Sequence, residues 1–190
     1  VELLTRVQTF RTLSRSGACL ALLLLMGFRL AAQSAGEYEL KAAFLYKFAS
    51  FVEWPDALSN GPLCIGVLGQ DPFGPALDGV VKGKSYQGRA FEIRRFKPGQ
   101  ESSKCQILFI GALEPKKLRE VLSRLQGAAV LTVGDVPGFC ESGGMVDLGL
   151  SGNKVQLEIN VEAAEKAGLH LNSRLLSLAK IVRAAPEGGR

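Results

Sequence analysis

Three uninterrupted apolar runs, LCIGVLG (63–69), CQILFIG (105–111) and AAVLTVGD (128–135), constrain this chain most. Each has the length of a strand, and an unbroken apolar run of that length suits a strand buried on both faces. Helical patterns separate them. DPFGPALDGVV places Asp71 and Pro72 where a helix can begin. EPKKLREVLSRLQG (114–127) carries Leu118, Val121, Leu122 and Leu125 on one stripe, with Gly127 suited to its stop. AFEIRRF (90–96) alternates apolar and polar residues, which predicts a strand with one face exposed. Strands joined through helices pair in parallel by right-handed crossovers, so the expected fold is α/β: a mostly parallel central sheet flanked by helices.

The C-terminal third adds a different unit. MVDLGL (145–150), SGN and KVQLEIN (154–160) predict an antiparallel hairpin, with Val155, Leu157 and Ile159 on one face. Asn160 is placed to cap a helix over VEAAEKAG, and Gly168 to end it. Asn172 or Ser173 then starts a final helix, SRLLSLAKIVR. Residues 186–190 are expected to be a frayed tail, leaving 36–185 as a single domain.

The first 35 residues read differently. Arg6, Arg11 and Arg15 precede the apolar run ACLALLLLMGF (18–28), and small residues follow in LAAQSA, the pattern of a secretory signal peptide. The run is about half of the roughly 20 residues a membrane span needs, which favours a cleaved leader over an anchor. Cleavage is expected between Ala32 and Ala35. Cys19 lies ahead of most of the run and cannot be a lipid-modified lipoprotein cysteine. Without this leader, 19 basic residues stand against 17 acidic ones, a net charge of +2. That balance, with no basic cluster, leaves no electrostatic footprint for nucleic acid. The mature protein is expected to be exported.

Three cysteines follow the leader: Cys64, Cys105 and Cys140. No CxxC spacing occurs and the sole histidine is His170, so no metal site is expected. Cys64 and Cys105 each open a predicted buried strand. If those strands are parallel neighbours, a disulfide between them is geometrically reasonable; two separate buried thiols are the alternative.

A histidine-dependent nucleophile system would have to use His170, which lies between two predicted helices and suits a structural or solvent-facing role better. GVLGQDPFG follows a strand but matches neither GxGxxG nor GxxxxGK[ST], so its glycines suit turns better than phosphate. These residues make no positive case for an enzyme or a cofactor.

EYELKAAFLYKFASFVEWPD (37–56) predicts an amphipathic helix ending near Trp54, where Pro55 disfavours helical geometry. Leu40, Phe44, Leu45, Phe48, Phe51 and Val52 share its apolar face. Lys41 falls inside that stripe, and two readings are open. Its stem packs on the phenylalanines while the ammonium reaches solvent, or the lysine is held in a partly apolar pocket to meet a carboxylate, an anionic ligand or a partner.

YELKAAFLYKFASFVEWP, LCIGVLGQDPFG, CQILFIG, VLTVGDVPGFCESGGMVDL and KVQLEINVEAAEKAGLHLNSRLLSLAKIV together resemble the YfiR family of periplasmic regulatory proteins across about residues 37–183. The resemblance implies a non-enzymatic repressor that contacts the periplasmic domain of a membrane-anchored diguanylate cyclase and so lowers cyclic di-GMP. It also implies a disulfide, because Cys64 and Cys105 match the family's pair. A second family disulfide has no counterpart, since Cys140 stands alone in that region. Lys41, Phe44, Phe48 and Trp54 are the expected partner or ligand surface, and Gly143, Gly144 and Met145 a shaped loop, with core packing or a turn as the alternative for each. Homodimerisation is a further expectation. A periplasmic small-molecule sensor acting through another membrane receptor is the second reading, and an unrecognised hydrolase the third.

Overall fold

The computed structural model describes residues 36–55, 61–100, 102–151 and 154–184. The chain divides into two compact units, Val1–Glu37 and Tyr38–Arg190, and the fold below is that of the second. The predicted leader and the 186–190 tail lie outside the described residues.

Helix α1 (36–48) leads into β1 (Val52–Glu53), β2 (Leu63–Leu68), α2 (Pro75–Val81), β3 (Ser85–Tyr86) and β4 (Arg89–Phe96). Then come β5 (Ile107–Ile110), α3 (Pro115–Arg124), β6 (Leu131–Gly134), β7 (Val146–Ser151) and β8 (Lys154–Ile159). The chain closes with α4 (Val161–Lys166), β9 (His170–Leu171), α5 (Ser173–Leu176) and β10 (Lys180–Ile181). Eight strands form the central sheet in the order β10-β8-β7-β6-β5-β2-β4-β3. Strands β4, β2, β5, β6 and β7 are mutually parallel, and β7 turns back antiparallel on β8. The protein is therefore α/β with a mostly parallel sheet and a C-terminal hairpin.

The two faces of the sheet are covered separately. Ile65, Val67, Ile107, Phe109, Leu131 and Val133 pack with α1 and α2 through Leu45, Phe48, Leu77 and Val81. Leu108 and Ile110 project the other way and pack with Leu118 and Leu122 of α3, with Leu125 just after it, and with Phe139. This is the period-2 alternation of a strand buried on both sides.

Three local expectations differ from the structure. α1 stops at residue 48 rather than near Trp54, its end closed by bonds from the Ser50 and Phe51 amides to the Lys47 and Phe48 carbonyls. Val52 and Glu53 instead pair antiparallel with Leu171 and His170 of β9. His170 thus lies in the α4–α5 link, as expected, as an exposed strand residue. α2 begins at Pro75, not at Asp71: the Asp71 carboxylate accepts from the Phe73 and Gly74 amides, forming a local turn that competes with helix. The final helix is only Ser173–Leu176, after which Lys180–Ile181 pairs in parallel with Glu158–Ile159. The apolar spacing of SRLLSLAKIVR suits a helix, but the outer edge of β8 offers backbone partners that win, including Ile159 O for the Val182 amide. Among the described residues no helix is long and apolar enough to cross a membrane.

Candidate functional site

Open α/β sheets ordinarily hold ligands beyond the carboxyl ends of strands where the winding reverses. Here that point is at β2, which leads to β4 on one side and has β5 on the other. The space is closed by backbone. The Gly111 amide donates to Leu68 O at 2.9 Å, and a Cβ at Gly111 would stand 2.2 Å from Gln70 O. The sequence's glycine-containing loop after β2 is therefore a packing feature.

The next parallel strand, β6, ends in a different environment. Asp135 follows it directly, and its Oδ2 accepts from Lys41 Nζ at 2.9 Å and from Tyr38 Oη at 3.1 Å. The ammonium also lies 4.9 Å from the centre of the Tyr38 ring. Lys41 is only 2% exposed, so its ammonium does not reach solvent. The pocket reading of this lysine holds, and the group it meets is a carboxylate of its own chain. The pair ties α1 to the carboxyl end of β6.

Farther along α1 the apolar stripe divides. Phe48 is fully buried in the core, and Phe44 lies against it with ring centres 6.3 Å apart. Phe44 also lines an open groove of about 870 Å³ between α1 and α5, with Leu40, Phe51, Leu175 and Leu178. Leu40 is 46% exposed and Leu178 is 69% exposed. Lys47 and Arg174 are the charged residues of this lining. An apolar groove with a cationic rim suits an apolar segment flanked by carboxylates.

Trp54 lies elsewhere, near the amino ends of β2 and β5. Its Nε1–H donates to Gln106 O at 3.2 Å, while the Gln106 side chain accepts from the Cys64 amide at 2.7 Å. Cys64 and Cys105 are joined by a disulfide there, with Cα atoms 4.6 Å apart. Strands β2 and β5 are adjacent and parallel, which brings the two residues side by side. Trp54 covers this corner rather than joining Lys41 or the groove.

Gly143, Gly144 and Met145 enter β7. Gly143 has φ of +98°, a conformation in which a side chain is strained. A Cβ on Gly144 would lie 2.2 Å from the Phe139 ring. Met145 is buried, its amide donating to Thr132 Oγ1 at 3.1 Å and its carbonyl accepting from the Asn160 amide at 2.9 Å. Gly143 and Met145 line a cleft of about 290 Å³ between α3 and α4, together with Leu122, Thr132, Asn160 and Lys166. Gly144→Ala is expected to cost about 1–3 kcal/mol through overpacking against Phe139. An unchanged urea midpoint would contradict that close approach.

The candidate residues therefore occupy four places: the buried Lys41–Asp135 pair, the α1–α5 groove, the disulfide corner and the α3–α4 cleft. Sequence reasoning missed Asp135, Tyr38 and Leu178. An aspartate closing a buried strand run in VGD was a usable signal for the first, whereas the exposure of Leu178 depends on the final helix being short. Among the described residues no group of three or more His, Cys, Asp or Glu is placed to hold a metal ion.

Residues 38–180 match the model of the YfiR/HmsC-like family. That span begins within α1, ends at the first residue of β10, and includes the groove, the ion pair, the disulfide and the cleft residues named above. The chain belongs to the YfiR/HmsC-like family.

Proposed function

We propose that residues 36–185 form a periplasmic, non-enzymatic regulator, released from a leader at residues 1–35. It represses a membrane-anchored diguanylate cyclase by contact with that protein's periplasmic domain. Family membership supports the class of function. The open α1–α5 groove carries the contact, because Leu40, Phe44 and Leu178 present apolar surface that the described residues leave uncovered. Its occupant in this reading is an amphipathic segment of the cyclase with carboxylates facing Lys47 and Arg174. Binding one conformation of the receptor lowers the population of the active arrangement. Lys41 and Phe48 contribute by setting the position of α1, and Phe44 by direct contact.

Leu40→Glu and Leu178→Glu test this directly. Both residues are exposed, so stability is expected to change by less than about 0.5 kcal/mol. Cyclic di-GMP in the host should rise to the level of a gene deletion, and crosslinking to the inner-membrane partner should be lost. An unchanged nucleotide level in the deletion, with no copurifying inner-membrane protein, would refute the reading.

A small-molecule sensor acting through another receptor is the second reading, favoured by the α3–α4 cleft with Met145, Thr132 and Lys166 in its lining. A compound bound to protein purified from the host, displaced when Met145 is replaced, would favour it over the first.

A further inference from the structure

Asp147 is the second residue of β7, directly opposite Gly134 of β6 and Glu158 of β8. Residues paired in this way project to the same face of a sheet. On that face a Cβ at Gly134 would lie 2.4 Å from the Phe139 ring, so the segment 136–144 covers the sheet beside Asp147. The aspartate is 6% exposed, and its Oδ1 has no hydrogen-bond partner among the described residues.

The charged and titratable groups around it do not favour an anion. Glu158 faces it from β8, Glu141 and the Cys140 thiol from the covering segment, and Asp135 from the end of β6. The cations near this network are already engaged: Lys41 of α1 by Asp135 at 2.9 Å, and Lys180 of β10 by Glu158 at 2.7 Å. A carboxylate with one buried oxygen unpartnered, opposite another carboxylate, is relieved by taking a proton or by bringing that oxygen to water. Water is reached by lifting Phe139 and Cys140. Among the described residues the segment is tied to the strand beneath by Cys140 Sγ donating to Glu158 O at 3.5 Å and to the start of α4 by Asn160 Nδ2 donating to Cys140 O at 3.1 Å, while bonds such as Gly144 amide to Phe139 O at 3.0 Å and Gly143 amide to Cys140 O at 3.1 Å are local to it.

We propose that Asp147 is a proton-operated latch beneath segment 136–144: with its carboxyl neutral the segment seats on the sheet, and ionisation releases it and opens the cleft that Gly143 lines. Burial first, then the charges of Glu158, Asp135 and Glu141, push the Asp147 carboxyl up to about 7, against the opposing effect of Lys41. The latch therefore works near neutral pH. With the folded value above the unfolded one, the linked stability is fully present below about pH 4 and is lost as pH rises through about 7. Cys140 takes no part in the proton exchange, because burial and the neighbouring Asp147 charge push its thiol up to about 12.

Amide hydrogen exchange at Phe139, Gly143 and Gly144, corrected for intrinsic rates, reads the latch. Between about pH 5.5 and about pH 8.5, protection in the wild-type protein should fall at least about tenfold, whereas Asp147→Asn should keep it level. Constant wild-type protection, or an equal fall in Asp147→Asn, overturns the proposal. Carbon-detected titration of the Asp147 carboxyl in the wild-type protein gives an independent reading should the variant fail to fold. A midpoint near neutrality supports the latch, and one near the ordinary aspartate value of about 4 overturns it.

Discussion

Lys41→Met is expected to destabilise the domain by about 3–5 kcal/mol, because it leaves the Asp135 carboxylate buried without its counter-charge. The side chains of the pair are 3% and 9% exposed, so water screens neither partner. Tyr38 Oη still donates to Asp135 in the variant, but one neutral donor does not replace an ammonium at 2.9 Å. The double variant Lys41→Met/Asp135→Asn removes both charges and should recover most of the loss, since it is the unpaired buried charge that is costly. Urea unfolding of the two variants provides the comparison. A cost below about 1 kcal/mol for the single variant would place the pair in the range of solvated surface bridges and refute its burial.

The second large effect concerns the disulfide. Cys64→Ser/Cys105→Ser opens a loop set by a sequence separation of 41 residues, worth about 4 kcal/mol in the chain-entropy model. Both positions are buried in the sheet corner covered by Trp54, so serine there also leaves hydroxyls seeking partners. Reductant should lower the melting temperature of the wild-type protein and leave the double variant unaffected. Equal melting temperatures with and without reductant would contradict a stabilising bridge. Cys140 does not complicate the experiment, since its thiol is buried away from the pair.

Much of the architecture was legible because each signal was local. LCIGVLG, CQILFIG and AAVLTVGD became β2, β5 and β6, since a continuous apolar run of that length has few ways to bury both faces. The α3 stripe of Leu118, Leu122 and Leu125 packs as its spacing implies. Asn160 caps α4 by accepting from the Ala163 amide at 3.0 Å, the role its side chain suits in any helix start. The hairpin of β7 and β8 likewise follows from alternation, although residues 152–153 between the strands lie outside the described residues.

The errors lie where a distant strand edge competes with local preference. FVEWP and LAKIV carry helix-compatible spacing, yet Val52–Glu53 and Lys180–Ile181 are strands because β9 and β8 supply hydrogen-bond partners. Local sequence contains no record of those edges. Ser85–Tyr86 was missed for a related reason: it pairs with Ala90 and Arg89 across a turn at Gln87 and Gly88, both with positive φ, and is too short to show a period.

The candidate site divides along the same line. The amphipathic stripe of α1, the odd position of Lys41 within it, the proximity of Cys64 to Cys105 given parallel strands, and the glycine requirement near 143 were all visible in the order of residues. That Lys41 meets Asp135, 94 residues away, was decided by the tertiary fold, as was the exposure of Leu40 and Leu178 on one groove. So was the burial of Asp147 in an otherwise ordinary alternating strand. Periodicity and turn chemistry act over a few residues and are written in the sequence. Ion pairing, desolvation and the competition for strand edges depend on which distant segments the fold brings into contact, and only the assembled sheet decides them.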